Sequence, residues 1–78
     1  MQILAKRLKE LRESRRIYQR EIAGYLGLSP RGYQDYETNK NDLKLKTLIA
    51  IADYYQVSID YLVGRTDDPG FHTSEAGD

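Results

Sequence analysis

Apolar residues recur along this chain every three or four positions, the spacing that places side chains on one face of a helix. From Ile3 to Ser14, Leu4, Leu8 and Leu11 stand at i, i+4 and i+7 with lysine and arginine between them, which predicts an amphipathic helix. A second, short helix is predicted from Gln19 to Leu26, carrying Ile22, Ala23 and Leu26 on one side and closing at Gly27, a residue free to adopt the left-handed conformation. A third begins soon after. Ser29 is a good N-cap, Pro30 suits the first helical position, and Leu28 with Tyr33 forms a hydrophobic staple across that start. This helix is expected to run to about Thr38, to bury Tyr33 and Tyr36, and to end at Asn39, which tolerates a left-handed turn. From Leu43 or Lys44 to Tyr55, the stripe Leu45, Leu48, Ile49, Ala52 and Tyr55 predicts a fourth helix, the most hydrophobic of the chain and the expected centre of the core. Ser58 caps a fifth that ends before Gly64, with Val57 and Leu62 as its staple.

The predicted fold class is therefore all-α, five helices in one domain over residues 1–66, followed by a polar, frayed tail over 67–78. A chain of 78 residues is too short for two domains, and a domain of this size buries only about 60% of its unfolded surface. It contains no cysteine, which removes disulfides and thiolate metal sites from consideration and fits a reducing compartment. Hydrophobic residues at 40% and charged residues at 31% suit a compact domain and argue against disorder. No membrane-spanning run and no signal peptide is found.

The formal net charge is zero, but its distribution is uneven. Residues 1–48 hold eleven Lys/Arg (6, 7, 9, 12, 15, 16, 20, 31, 40, 44, 46) against six Asp/Glu (10, 13, 21, 35, 37, 42), a net of plus five. Residues 49–78 hold Arg65 against Asp53, Asp60, Asp67, Asp68, Glu75 and Asp78, a net of minus five. One end of the molecule is thus suited to face phosphate, with a mixed solvated surface as the alternative. Enzyme chemistry finds no support: His72 stands alone in the tail, and no Gly-rich phosphate loop, H-x-x-x-H pair or nucleophile elbow occurs, so no cofactor and no metal is expected.

The informative constellation is the pair of short helices joined by Gly27-Leu28-Ser29, because a turn of three or four residues fixes two helices at a steep angle, a helix-turn-helix. Ala23 allows the close approach such an angle requires, and Leu28 plugs the corner. With Tyr33 and Tyr36 turned inward, Pro30, Arg31, Gly32, Gln34 and Asp35 are left to project from the first turns of the second helix. Of the seven tyrosines, Tyr33, Tyr36, Tyr55 and Tyr61 fall on core-facing positions, which favours packing over base stacking; Tyr25 and Tyr54 are unassigned. Arg15 and Arg16 serve either as phosphate contacts or as a solvated connection.

Several fragments together resemble the Cro and lambda-repressor-like (XRE-type) helix-turn-helix domains over roughly Leu4 to Asp68. They are Leu8-Lys9-Glu10-Leu11-Arg12, Gln19 with Glu21-Ile22-Ala23, Gly27-Leu28-Ser29 and Tyr33-Gln34-Asp35-Tyr36-Glu37. Leu45 with Thr47-Leu48, Ala52-Asp53-Tyr54-Tyr55, Val57-Ser58, Asp60-Tyr61-Leu62 and Gly64-Arg65-Thr66 continue the pattern. Departures are Tyr18 in place of the usual Thr cap, Gly24 inside the second helix, Asn39 where Gly is usual, and Leu43-Lys44 in place of Pro-Ser, which leaves Asp42 as the nearby capping side chain.

The resemblance implies that the third helix lies in the major groove of B-DNA, where each base pair shows a distinct pattern. Arg31 would be the main base reader, donating twice to guanine O6 and N7, while Asp35 would accept from cytosine N4 and Gln34 would read a base or hold phosphate. Pro30 and Gly32 occupy base-contacting positions but offer only apolar or close-approach contacts. Gln19 corresponds to a residue that grips phosphate and braces the reading helix, and Asn39, Lys40, Asn41, Lys44 and Lys46 would hold the opposite backbone. Arg12 and Glu37 match a structural ion pair between the first and third helices.

These expectations add up to a double-stranded DNA operator as partner and a repressor acting by steric block, cytoplasmic in a bacterium or encoded by a phage, without a second domain to sense a ligand. One reading helix specifies few base pairs, so a homodimer on two half-sites about 34–36 Å apart is expected, with Val63 and Phe71 at its seam. The alternative is a protein-interaction module of the same fold, an antitoxin or adaptor, using an apolar patch around Tyr54, Ile59, Val63 and Phe71. The operator, the genes controlled and any protein antagonist are not legible in the residues.

Overall fold

The computed structural model describes residues 1–70. Five helices follow one another, α1 (Gln2–Ser14), α2 (Gln19–Tyr25), α3 (Pro30–Glu37), α4 (Leu45–Tyr55) and α5 (Ile59–Leu62), with no strand among the described residues. The expected order and class are both met, with boundaries shifted by a residue or two at most helix ends. α3 packs on α1 and α2, and α5 packs on α1 and α4, so α1 lies between the two halves of the domain.

Local chemistry explains most of the helix ends. At α3, Ser29 Oγ accepts the Gly32 N–H at 3.0 Å and Pro30 opens the helix; at α5, Ser58 Oγ accepts the Tyr61 N–H at 3.0 Å. α2 starts after Tyr18, which lacks a capping side chain, and Glu21 Oε1 instead accepts the Tyr18 N–H at 3.2 Å, the carboxylate half of a capping box. Gly27 has φ +72°, and the next amide, Leu28 N–H, reaches back to the Ala23 carbonyl at 2.8 Å to close α2. Asn39 adopts φ +60° at the end of α3, as its position predicted. α4 begins at Lys44 without a side-chain cap. Asp42, expected to serve there, stands two residues before the Lys44 N-cap and makes no capping bond; its Oδ1 lies 3.4 Å from the Met1 ammonium.

The core joins Leu4, Leu8 and Leu11 of α1 with Ile22 and Ala23 of α2, Tyr33 of α3, Ile51, Ala52 and Tyr55 of α4, Val57, and Leu62 of α5. One expectation needs correction. Leu45 and Ile49 are 69% and 44% exposed, whereas Ile51, left out of the predicted stripe, is fully buried. The buried face of α4 is Leu48, Ile51, Ala52 and Tyr55, at i, i+3, i+4 and i+7. α4 is apolar around more than half its circumference, so periodicity leaves its rotation open and the neighbouring helices decide it.

Residues 67–70, at the start of the segment read as a tail, are tied to the domain. The Pro69 carbonyl accepts the Ser58 N–H at 3.2 Å, and Arg7 donates to the carbonyls of Tyr61 and Thr66 and, at 2.8 Å, to Asp67 Oδ1. The Arg7 guanidinium also lies 4.1 Å from the Tyr61 ring centre, a stacked cation with most of its surface covered. The rest of that segment, with Phe71 and His72, lies outside the described residues.

Candidate nucleic-acid interface

α3 is amphipathic. Tyr33 and Glu37 are buried and Tyr36 is half-buried, which leaves Pro30, Arg31, Gln34 and Thr38 exposed. At 100° per residue, Arg31 and Asp35 stand on the side away from that buried face, Pro30 and Gln34 turn towards α2, and Gly32 lies on the opposite flank. Gly32 is half-buried, and a Cβ there would sit 3.2 Å from Ser29 Oγ, so its smallness serves the cap. Arg31 Nε is 3.6 Å from Asp35 Oδ1; the arginine side chain is 76% exposed and the aspartate 24%. Sequence reasoning assigned each of these two a base of its own and did not foresee their pairing, although an i,i+4 spacing of opposite charges is its signal.

α3 is anchored by a charged cluster beneath it. Arg12 Nε and Nη2 donate to Glu37 Oε2 and Oε1 at 2.7 and 3.1 Å, a two-pronged pair between α1 and α3, and Arg12 Nη1 also donates to the Ile17 carbonyl at 3.0 Å. Gln19 Nε2 donates to Glu37 Oε1 at 3.2 Å, so the first residue of α2 braces the last residue of α3. Burial alone pushes the Glu37 carboxyl up, but the hydrogen bonds of Arg12 and Gln19 and the nearby Tyr33 hydroxyl more than offset it and hold it below its ordinary value. Arg12 is raised in turn, chiefly by its bond to Glu37. The Tyr33 and Tyr55 hydroxyls are buried beside this cluster without a partner at full hydrogen-bond geometry. Burial and then the Glu37 charge raise both, Tyr55 to about 12.

Between α1, the start of α2 and α3 runs an open groove of about 720 Å³, lined by Lys9, Arg12, Tyr18, Gln19, Arg20, Pro30, Gln34, Glu37 and Thr38. Its cations outnumber its one carboxylate, and Arg20 rests 4.5 Å above the Tyr18 ring. Lys9 and Arg20 were not singled out from sequence; their signal is that they flank Arg12 and Gln19 on the polar faces of α1 and α2. Beyond α3, Asn39, Lys40 and Asn41 are exposed, and the Lys40 and Asn41 amides bond to the Asp35 carbonyl at 2.8 and 3.4 Å. Asn39 Oδ1 accepts from the Met1 ammonium at 2.9 Å. Lys44 and Lys46 are exposed at the start of α4. Arg15, left open from sequence, donates to the Tyr55 carbonyl at 2.7 Å and joins α1 to the end of α4, while Arg16 takes φ +55° in the turn between α1 and α2. Tyr25 and Tyr54 pack on each other with ring centres 4.7 Å apart. Among the described residues no cluster of His, Asp or Glu is arranged to hold a metal, and no helix is long and apolar enough to cross a membrane.

A model of the helix-turn-helix family matches residues 8–62, which include all of α2, the turn and α3. The chain belongs to the helix-turn-helix family. This helix-turn-helix domain is 35% identical over 63 residues to the HTH-type transcriptional regulator YobD of Bacillus subtilis (strain 168), covering 81% of this chain and 56% of that protein. It is 36% identical over 64 residues to ImmR, an HTH-type transcriptional regulator of the same organism, covering 82% and 50%. The SPbeta prophage-derived regulator YonR, also of that strain, gives 36% over 64 residues, covering 82% and 59%. The domain thus spans between 50% and 59% of the length of these relatives. The P22 c2 repressor, solved in complex with a synthetic operator, is similar with a TM-score of 0.72 at 24% identity, covering 80% of this chain and 94% of that one. The likeness shows the fold alone, one shared with the P22 c2 repressor.

Proposed function

We propose that this helix-turn-helix protein binds double-stranded DNA sequence-specifically and regulates transcription, most simply by occupying an operator and blocking polymerase. The observation that carries the reading is the outward face of α3: Arg31, Gln34 and Asp35 stand on a helix whose other side is fixed by Tyr33 and by the Arg12–Glu37–Gln19 cluster. A rigid helix presenting a guanidinium suits the major groove, where Arg gives the commonest specific contact. The relatives' description as transcriptional regulators supports the same reading. In it Arg31 and Gln34 face base edges with Asp35, Pro30 and Gly32 beside them. Gln19, Asn39, Lys40, Asn41, Lys44 and Lys46 meet phosphate.

A helix of 8 residues reads few base pairs, so the active form is a homodimer, with the end of α5 at Val63 and the following Phe71 as the proposed seam. The chain acts without a cofactor and without enzymatic chemistry, in the bacterial cytoplasm. The test is fluorescence-anisotropy binding to duplexes from the intergenic DNA beside its gene and to scrambled duplex. A preference of about 10³-fold or more supports the reading, and equal, weak binding to both overturns it.

Leu45 and Ile49, exposed one turn apart on α4, favour a second reading, a protein-interaction module with its contact on that helix. The patch expected from sequence is less open, since Tyr54, Ile59 and Val63 are half-buried. Sequence-indifferent binding in the same experiment would turn the assignment towards this reading.

A further inference from the structure

Resting on the DNA-binding reading above, we propose that Asp35 is a positioning residue that sets specificity through Arg31, holding its guanidinium towards one base instead of reading a base itself. An exposed arginine on a reading helix has many rotamers and an attractive polyanion on both sides. A phosphate offers it as good a partner as a guanine does, so nothing in an unrestrained side chain favours the base. The pairing with Asp35 supplies what is missing. The aspartate is the more enclosed member, 24% against 76% exposed, and the backbone beneath it is fixed, because its carbonyl accepts the amides of Lys40 and Asn41. It is therefore the fixed partner and Arg31 the guided one.

The atoms involved matter. Asp35 Oδ1 lies nearest Nε, at 3.6 Å, an ion-pair contact longer than a hydrogen bond that faces the inner edge of the fork. The two terminal nitrogens stay free, and these are the pair that can donate together to O6 and N7 of guanine. The carboxylate also discriminates against the competitor: a negative charge one helical turn from Arg31 repels phosphate but is tolerated next to a neutral base edge. An aspartate whose charge faces a guanidinium loses that attraction if it turns to cytosine N4, so a separate base contact by Asp35 is the less favourable use of the same side chain.

The experiment begins with selection, by the wild-type chain, of bound duplexes from a random-sequence pool. Affinities are then measured for every single base-pair substitution of the selected site, with wild type, Arg31→Ala, Asp35→Ala, Asp35→Asn and the double variant Arg31→Ala/Asp35→Ala. The asparagine variant keeps shape and removes charge, and thermal unfolding verifies that each variant is folded. Arg31→Ala is expected to flatten preference at one base pair per half-site by about 5- to 150-fold. Both Asp35 variants should flatten preference at that same base pair by about 2- to 5-fold, while binding scrambled duplex more tightly by a similar factor. In the double variant, loss of Asp35 should add nothing to the loss of Arg31. Preference lost at a different base pair, or losses that add, would overturn the inference while leaving DNA reading intact. A wild-type chain that enriches no sequence fails at the reading on which the inference rests and removes both.

Discussion

At the scale of single residues, Glu37 decides how firmly α3 is held. Its side chain is 3% exposed and that of Arg12 14%, so removing one partner leaves the other charged, covered and uncompensated. Arg12→Ala is expected to lower stability by about 3 kcal/mol, read from chemical denaturation, with no comparable loss for an exposed α1 residue such as Glu10→Ala. The same site sets an acid limit. Because the folded state holds the Glu37 carboxyl below its unfolded value, its contribution to stability is complete above the ordinary carboxylate range. It fades as pH falls through the lowered value. Glu37→Gln should be less stable than wild type at neutral pH, and the gap between the two should narrow in thermal melts taken from pH 7 down to pH 3. A gap that stays constant with pH would assign the loss to shape and not to charge.

At the scale of elements, α2 is the weakest of the longer helices by design of its residues: it has 7 residues, no Ser or Thr cap, and Gly24 in its interior. A Cβ on Gly24 would meet nothing within 4 Å, and its φ is not in the left-handed region. Gly24→Ala is therefore expected to stabilise the protein by about 0.5–1 kcal/mol. Gly64 is the opposite case, since at φ +86° its added Cβ would also sit 3.0 Å from Ile3 Cγ1, so Gly64→Ala should destabilise by about 1 kcal/mol or more. Chemical denaturation of the two variants side by side tests both signs. What was legible from sequence follows the same division. Caps and turns declare themselves through residue type, so Ser29, Pro30, Gly27, Asn39 and Ser58 are legible in the sequence. The rotation of α4 is not, because Leu45, Leu48, Ile49 and Ile51 are equally apolar and packing alone chooses among them. Nor are the bonds that Arg7 and Arg15 donate to backbone carbonyls, which carry no signature in the sequence. In the candidate site, the Arg12–Glu37 pair follows from the family resemblance, while the Arg31–Asp35 pair is signalled only by an i,i+4 spacing of opposite charges, which does not by itself say whether two side chains face each other or a ligand.

At the scale of the whole molecule, zero net charge conceals a separation of plus five over residues 1–48 from minus five over 49–78. The basic part contains α2, α3 and the loop after it, which are proposed to face DNA, together with α1. Zero net charge therefore does not set the salt dependence of binding, which follows the number of phosphates contacted. Lys40 lies in this loop, exposed, with its amide held and its ammonium free among the described residues, so it suits a phosphate contact that is blind to sequence. Lys40→Ala should weaken binding to selected and scrambled duplexes by similar factors. The salt slope then counts chains: each phosphate contact contributes about 0.9 to the slope of log K against log salt, so losing one lysine lowers it by about 0.9 for a single bound copy and about 1.8 for two. A decrease near 1.8 on the full selected site, falling to about 0.9 on a half-site, is the expected outcome for a homodimer on two half-sites. Sedimentation of the complex at the same protein concentration checks the stoichiometry independently. A decrease near 0.9 on both duplexes, with one chain per duplex by sedimentation, would show that a single domain reads its operator alone and would remove the need for a seam at Val63.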